Sequence, residues 1–446
     1  MPTREGIAMT KKVNINIQHL TRVEGHGNII VNVNNGKIEK CQWQVPEAPR
    51  FFEAMVRGRH YSEVARITSR ICGICSIGHT LASVKASEDA LGIKVSPQTF
   101  KLRQLLKHAE NFDSNVLHVY ILVAPDLLGA KSVFPLLQTH GDVVKRALTL
   151  KRLSHEWGSL IGGRTTHPTT VVPGGFTKIP SAKALLELKE KLLAALPDLD
   201  ATVATLLSLK NKIPDFQRPT EYMALSHDEN YAIYDGLVQT VLPDGTKNRY
   251  AVSDYLSITN EYVSQWSTAK YCKNRLDSYM VGALARINNN YEHLCPEAKM
   301  VAEKFGLDAF TTNPYMNTIA QLVELVNDAY GSIGLIDEII AAGLKPEALL
   351  EPSQFGTGTG AVEVPRGILF HQYSYDQDGI CTGGDYVIPT NQNHANIQYD
   401  FEKLVPELLA QDKTEAEMEL ALEMLVRAYD PCISCSAHYL DVKFVN

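Results

Sequence analysis

The chain has 446 residues, 45% of them apolar and 21% charged, with a net charge of −7. That balance is ordinary for a globular protein, and the length allows two or three common domains or one with a large core. The negative balance and the lack of any long block of like charge exclude a field that would draw in nucleic acid or anionic lipid.

The first segment, MPTREGIAMTKKVNINI, carries no apolar stretch of the kind a secretory signal needs, and no apolar run anywhere is long enough to span a bilayer. A cytoplasmic location is therefore expected, although a folded subunit can also be exported on a partner's signal. From residue 13 the pattern alternates. VNINIQHL and GNIIVNVNNGKIEKCQWQV read as strands, with Asn35-Gly36 as a tight turn, because both residues tolerate positive φ.

After residue 50 the texture is helical. QTFKLRQLLKHAENFDSNVLHVYILVA has apolar residues at helical spacing with polar insertions. SAKALLELKEKLLAALPDLDATVATLLSLKNKI predicts one long helix or two, with Ser181 as N-cap. MNTIAQLVELVNDAYGSIGLIDEIIAAGL and FEKLVPELLAQDKTEAEMELALEMLVRAY predict further helices. Between them, residues 162–180 and 356–393 read as Gly- and Pro-rich loops. No repeat, low-complexity tract or linker divides the chain. The expected fold class is mainly α with a small N-terminal β element (α+β). One large domain is expected over 1–446, with a β hairpin region at 13–45 and a helical body at 46–438.

The eight cysteines are Cys41, Cys72, Cys75, Cys272, Cys295, Cys381, Cys432 and Cys435. Four of them form two Cys-x-x-Cys pairs, in RICGICSIGHT and in DPCISCSAH. Such a pair brings two thiolates within reach of one ion, and two pairs can build a four-sulfur cage. Thiolates select zinc, iron–sulfur clusters, copper(I), nickel or iron. In a reducing compartment disulfides are disfavoured, so the pairs point to metal or redox chemistry. Spacing alone favours a structural four-cysteine zinc site. One feature opposes it: structural zinc pairs usually lie about 15–20 residues apart in a small module that needs stapling. Here almost the whole chain separates them. Each pair is followed closely by a histidine, His79 or His438.

The flanks carry more. RVEGHG precedes RICGICSIGHT; then come GGRTTHP with VPGGF, YMVGALARIN, VPRGILFH with VIPTNQN, and DPCISCSAH. In this order the motifs resemble those of the large, catalytic subunit of nickel–iron hydrogenases, over nearly the whole chain. The resemblance implies that family's large-subunit fold, with a helical-bundle body. The implied activity is reversible heterolytic oxidation of H2 to protons and electrons. It further implies that Cys72, Cys75, Cys432 and Cys435 bind nickel. Cys75 and Cys435 would also bridge to an iron that carries carbon monoxide and cyanide.

By the same resemblance Arg366 is an essential arginine beside the metals, Pro365 shapes the pocket wall, and the Thr390 hydroxyl hydrogen-bonds a cyanide. Asp126 and Asp430 match carboxylates that would hold the arginine in place. Glu24 matches the glutamate that passes a proton on from the terminal cysteine Cys432, since a carboxylate partly shielded from water relays protons near neutrality. His26 and His79 are assigned hydrogen bonding around the site, and His167 is expected to face a partner subunit. A magnesium-type ion is implied on Glu53, the carbonyl of Tyr386 and His438. A maturation protease is expected to cut between His438 and Tyr439 and release YLDVKFVN. Val364 departs from the more common alanine before Pro-Arg-Gly, and Cys381 is read as a buried bystander.

No remaining cysteine motif could hold iron–sulfur clusters, and GTGTG at 356–360 lacks the strand–GxGxxG–helix context of a dinucleotide fingerprint. The resemblance therefore implies a small subunit with iron–sulfur clusters. It also implies further electron-transfer partners of flavin, nicotinamide, deazaflavin or heterodisulfide reductase type. Two other readings compete: a quinone-site subunit related to respiratory Complex I, whose lineage has lost the cysteines, and a four-cysteine zinc scaffold without catalysis.

Overall fold

The alternating N-terminal segment folds as a three-stranded antiparallel sheet, Val13–Ile17, Asn28–Asn34 and Lys37–Gln44. Asn35 and Gly36 turn the second hairpin with φ of 48° and 75°. Val13, Ile15, Ile29, Val31 and Val33 are buried, so the alternation in sequence is the alternation between core and solvent. The structure is a computed structural model, and residues 12–438 are described.

The helical body contains Ser76–Ala90, Pro97–Leu117, Gly141–Gly162, Ala182–Ser208, Asn317–Ala342, Pro389–Ala410 and Glu415–Ala428. Their starts are chemically marked. Ser96 accepts from the Thr99 amide, with Pro97 at the first helical position. Ser181 accepts from the Ala184 amide at 3.2 Å. Thr414 and Glu417 form a capping box. That box explains why FEKLVPELLAQDKTEAEMELALEMLVRAY is two helices rather than one. Residues 97–117 continue through a π-helical turn, His118–Val123, into Ala124–Leu127.

The β content is larger than one N-terminal element. Residues 356–393, expected to be a loop, form an antiparallel sheet of Thr357–Val364, Gly367–Tyr375 and Cys381–Val387. The first two strands are buried on both faces for most of their length, so they lack the two-residue period that marks a half-exposed strand. Glycines were the other misleading signal. Gly358 and Gly360 sit against the Ser76–Ala90 helix, where an added Cβ would lie 2.1 Å from the Ala90 nitrogen and 2.5 Å from the Ala82 carbonyl oxygen. A further sheet has the order Lys247–Tyr250, Leu237–Val241, Glu221–Ser226, Tyr279–Met280. The class is α+β, with the main core running between the N-terminal sheet, the helices and the 357–387 sheet. Among the described residues no helix is long and apolar enough to cross a membrane.

Candidate metal centre

The early cysteine pair is presented by local structure. A short turn, Ser69–Ile71, leads into extended backbone at Cys72. Cys75 is the residue that caps the helix Ser76–Ala90, so its sulfur lies at the positive end of that helix. The Cys75 amide donates to Cys72 Sγ at 3.1 Å. Both thiols are buried. The hydrogen bond between them holds Cys72 below the usual thiol range, and the same bond together with burial pushes Cys75 well up.

The late pair is held by the rest of the molecule. Asp430 adopts a left-handed backbone with φ of 49°, an uncommon choice for a residue with a side chain. The Cys432 amide donates to Thr390 Oγ1 at 3.0 Å. Glu24 runs alongside: its amide donates to the Pro431 carbonyl at 3.4 Å, and the Ile433 amide donates to the Glu24 carbonyl at 2.9 Å. Cys432 and Cys435 are joined as a disulfide. As a disulfide the pair offers no thiolate; reduced, it supplies two.

The two ends of the chain meet here. Cys72 Sγ lies 3.5 Å from Cys432 Sγ, and the sulfurs of Cys72, Cys432 and Cys435 all fall within 4.8 Å of one another. Cys75, whose amide meets Cys72 Sγ, brings a further buried sulfur close to this group. Three buried sulfurs in reach of one another, with that of Cys75 as a fourth nearby, fit a soft transition metal. A purely structural zinc cage has no use for charged side chains aimed at its sulfurs, and this site has two. Arg366 Nη1 lies 3.2 Å from Cys75 Sγ, and Glu24 Oε2 lies 3.2 Å from Cys432 Sγ. Glu24 is itself fixed by the Ser434 amide, at 3.1 Å, and by the Ser434 hydroxyl.

Arg366 is 2% exposed and fully engaged. It donates to the Asp430 carbonyl and carboxylate, each at 2.9 Å, and to Ser114 Oγ at 3.1 Å. Burial opposes its charge, but Asp430 and the Cys75 and Cys72 sulfurs outweigh burial, so its pKa stands above that of an ordinary guanidinium. Asp126 is a correction. It does not touch Arg366; it pairs with Arg22 and, through both oxygens at 2.9 and 3.0 Å, with Arg427. The position next to the arginine belongs to Ser114. A signal for it existed: Asn111, Ser114, Asn115 and His118 form a polar stripe at helical spacing, and all four are buried. Gln321, also unforeseen, donates to the second oxygen of Asp430 at 3.1 Å.

The remaining expected residues divide into two groups. Glu53 and His438 meet, with Glu53 Oε1 on His438 Nδ1, and the Tyr386 ring packs 5.9 Å from the His438 ring. Glu53 Oε2 and His438 Nε2 are buried and have no hydrogen-bond partner among the described residues. An orphaned carboxylate oxygen beside an orphaned imidazole nitrogen fits a divalent cation. His79 and His371 share a 3.1 Å contact, Nδ1 to Nε2, and burial pushes His79 down to about 3. Pro365 contributes its carbonyl, which accepts from Arg286 at 3.0 Å. His167 is half-buried beside the early pair, its amide donating to Ser76 Oγ at 2.9 Å. His26 lies away from the sulfurs, exposed and paired with Glu47 at 2.8 Å. Cys381 faces the Gly383 carbonyl at 3.3 Å, and burial pushes it up to about 11. The expected cut after His438 falls at the edge of the structure, and residues 439–446 lie outside the described residues.

Residues 50–136 and 218–438 match the nickel-dependent hydrogenase family. The chain belongs to that family. Residues 14–48 match a second family description, HoxL-like. The chain is 31% identical over 435 residues to the sulfhydrogenase 2 subunit alpha of Pyrococcus furiosus, which spans 96% of this chain and 99% of the relative. It is 32% identical over 426 residues to the sulfhydrogenase 1 subunit alpha of the same organism, at 95% and 97% coverage. Among solved structures, an NAD+-reducing NiFe hydrogenase in its H2-reduced state superposes with a TM-score of 0.87 at 27% identity, over 95% of this chain and 99% of that one. This hydrogenase is therefore the catalytic large subunit of its type, an oxidoreductase with the fold of that subunit and with nickel and iron as its metals.

Proposed function

We propose that this hydrogenase oxidises H2 reversibly and heterolytically at a nickel–iron centre held by Cys72, Cys75, Cys432 and Cys435. Cys75 and Cys435 would hold iron as well as nickel, the iron carrying carbon monoxide and cyanide. The observation that carries this reading is the meeting of both cysteine pairs beneath a buried guanidinium and beside a carboxylate.

The metals, when bound, polarise H2 and take up its electrons. The chain's own residues do the rest. Arg366 is a fixed cation, since Asp430 and the Cys75 and Cys72 sulfurs outweigh the burial that opposes its charge. It acts by polarising its surroundings and by donating hydrogen bonds, not as a base. A proton released at Cys432 Sγ is one hydrogen-bond length from Glu24 Oε2. The Ser434 hydroxyl and amide keep that carboxylate aimed at the sulfur. Thr390 holds the Cys432 backbone and would offer its hydroxyl to a cyanide on iron. Glu53, His438 and the Tyr386 carbonyl would hold a magnesium-type ion, which would tie His438 to the helix at Phe52–Val56.

Electrons leave through iron–sulfur clusters of a small subunit, since no further metal-binding cysteine group occurs among the described residues. That assembly, completed by a flavin, nicotinamide, deazaflavin or heterodisulfide reductase partner, works in the cytoplasm. Removal of the segment after His438 completes maturation.

The test is anaerobic purification of the assembled complex followed by H2-dependent reduction of a viologen dye. H2 uptake with nickel and iron near one each supports the proposal. A protein that holds zinc alone and takes up no H2 would be the scaffold instead; one with no metal would fit the Complex I-like reading.

A further inference from the structure

We propose that Arg286 is a positioning residue for Arg366, acting through the backbone of Val364 and Pro365. The inference rests on the function proposed above and adds a residue to it.

Arg286 lies on the helix Ala283–Asn290, is fully buried, and touches no sulfur. Its guanidinium donates from Nη1 to the Val364 carbonyl at 2.8 Å and from Nη2 to the Pro365 carbonyl at 3.0 Å. These are the two peptide groups that precede Arg366. The same guanidinium is gripped by two carboxylates. Glu324 takes Nε and Nη2 at 2.5 and 2.8 Å, and Glu363 takes Nη1 at 3.0 Å. Glu324 is in turn fixed by the Tyr231 hydroxyl at 2.7 Å, and Glu363 accepts from the Leu225 amide at 2.7 Å. A planar fork with every donor committed cannot be replaced by a lysine, which is a point charge on a flexible stem.

The other side of Arg366 is closed as well. Gly367, with φ of 131°, presses on Val281 and Gly282; an added Cβ would lie 2.4 Å from Val281 Cγ2 and 2.9 Å from the Gly282 nitrogen. The turn Val364–Gly367 is thus held before Arg366 by hydrogen bonds and after it by contact. Only the side chain reaches the site, where it meets Cys75 Sγ, Ser114 and Asp430. The chemistry of Arg366 depends on distance, and a displacement of about 1 Å can cost about 100-fold in rate. A buried ion cluster costs desolvation, and a structural role alone could be met by apolar packing. Spending that cost on two carbonyls next to Arg366 is what a clamp would require.

The test is a double-mutant cycle of Arg286→Lys with Arg366→Lys in the assembled complex. Three quantities are measured: metal content, kcat for H2 uptake, and the infrared positions of the cyanide bands. The expected result is unchanged nickel and iron, about 100-fold lower kcat for Arg286→Lys, shifted cyanide bands, and little further loss when Arg286→Lys is added to Arg366→Lys. Equal losses in both backgrounds, or a parent-like rate and spectrum, would overturn the clamp. If Arg286→Lys yields no folded complex, Glu363→Gln takes its place in the cycle, with the same criteria and an expected loss of about tenfold. The parent separates the two proposals: a parent without H2 uptake and cyanide bands refutes the proposed function, while an active parent with additive losses refutes only the clamp.

Discussion

The two cysteine pairs have the same spacing and opposite support. Cys72 and Cys75 are set by the turn and helix they belong to, with a hydrogen bond inside the pair and a helix beginning at Ser76. Cys432 precedes, and Cys435 lies in, a single helical turn, Ile433–Ser436, that follows a left-handed Asp430; this stretch is held by Glu24, Thr390 and Arg366, residues distant in sequence. One half of the site is local and the other is tertiary. Perturbing Glu24 or Thr390 should therefore disturb the late pair and spare the early one, whereas Arg366 touches both Cys75 and the late stretch.

The largest effect is expected from removing a late ligand. Cys435→Ser should abolish H2 uptake and lower nickel content, read by dye reduction and metal analysis; full activity would refute the shared role of that sulfur. Glu24→Gln keeps the shape and the Ser434 contacts but cannot accept a proton, so kcat should fall by about 100- to 1,000-fold with metal content unchanged. Thr390→Val leaves the Cys432 amide buried without an acceptor, at a cost of about 1–3 kcal/mol. Its melting temperature should drop, with activity falling less than for Glu24→Gln.

The smallest effect concerns the packing beneath the late pair. The Trp43 indole N–H donates to His394 Nδ1 at 3.0 Å, and His394 Nε2 lies 2.9 Å from Ser436 Oγ. The ring is neutral, and burial pushes its pKa down to about 3. A histidine depressed on folding adds stability that is complete above its ordinary pKa of 6.5 and is lost as pH falls from 6.5 toward 3. Between pH 7.5 and 5 the loss should be about 2 kcal/mol. Thermal unfolding at both pH values should show a loss smaller by about that amount in His394→Gln than in the parent, the buried His79 and His371 contributing to both.

How much of this was legible follows from the same contrast. The cysteines, Arg366, Glu24, Glu53 and His438 announce themselves because each stands in a short motif. Partners across the fold do not. Asp126 looked like a support for Arg366, yet Arg22 and Arg427 claim it, and Ser114, an unremarkable residue in a helix, takes the place. Arg286 sits inside the quoted YMVGALARIN stretch without any sign of which carbonyls it would meet. The capped helices were readable from periodicity and N-cap residues, whereas the 357–387 sheet was hidden because burial on both faces erases alternation and its glycines serve close packing instead of turns.

The claim beneath all of this is that sulfurs from both ends of the chain bind one metal. Nickel-edge X-ray absorption on the matured complex tests it most directly. The account predicts a sulfur-dominated shell around nickel that loses one sulfur in Cys72→Ser and likewise in Cys432→Ser. A shell of nitrogen and oxygen donors, or one that changes with only one of the two variants, would contradict it.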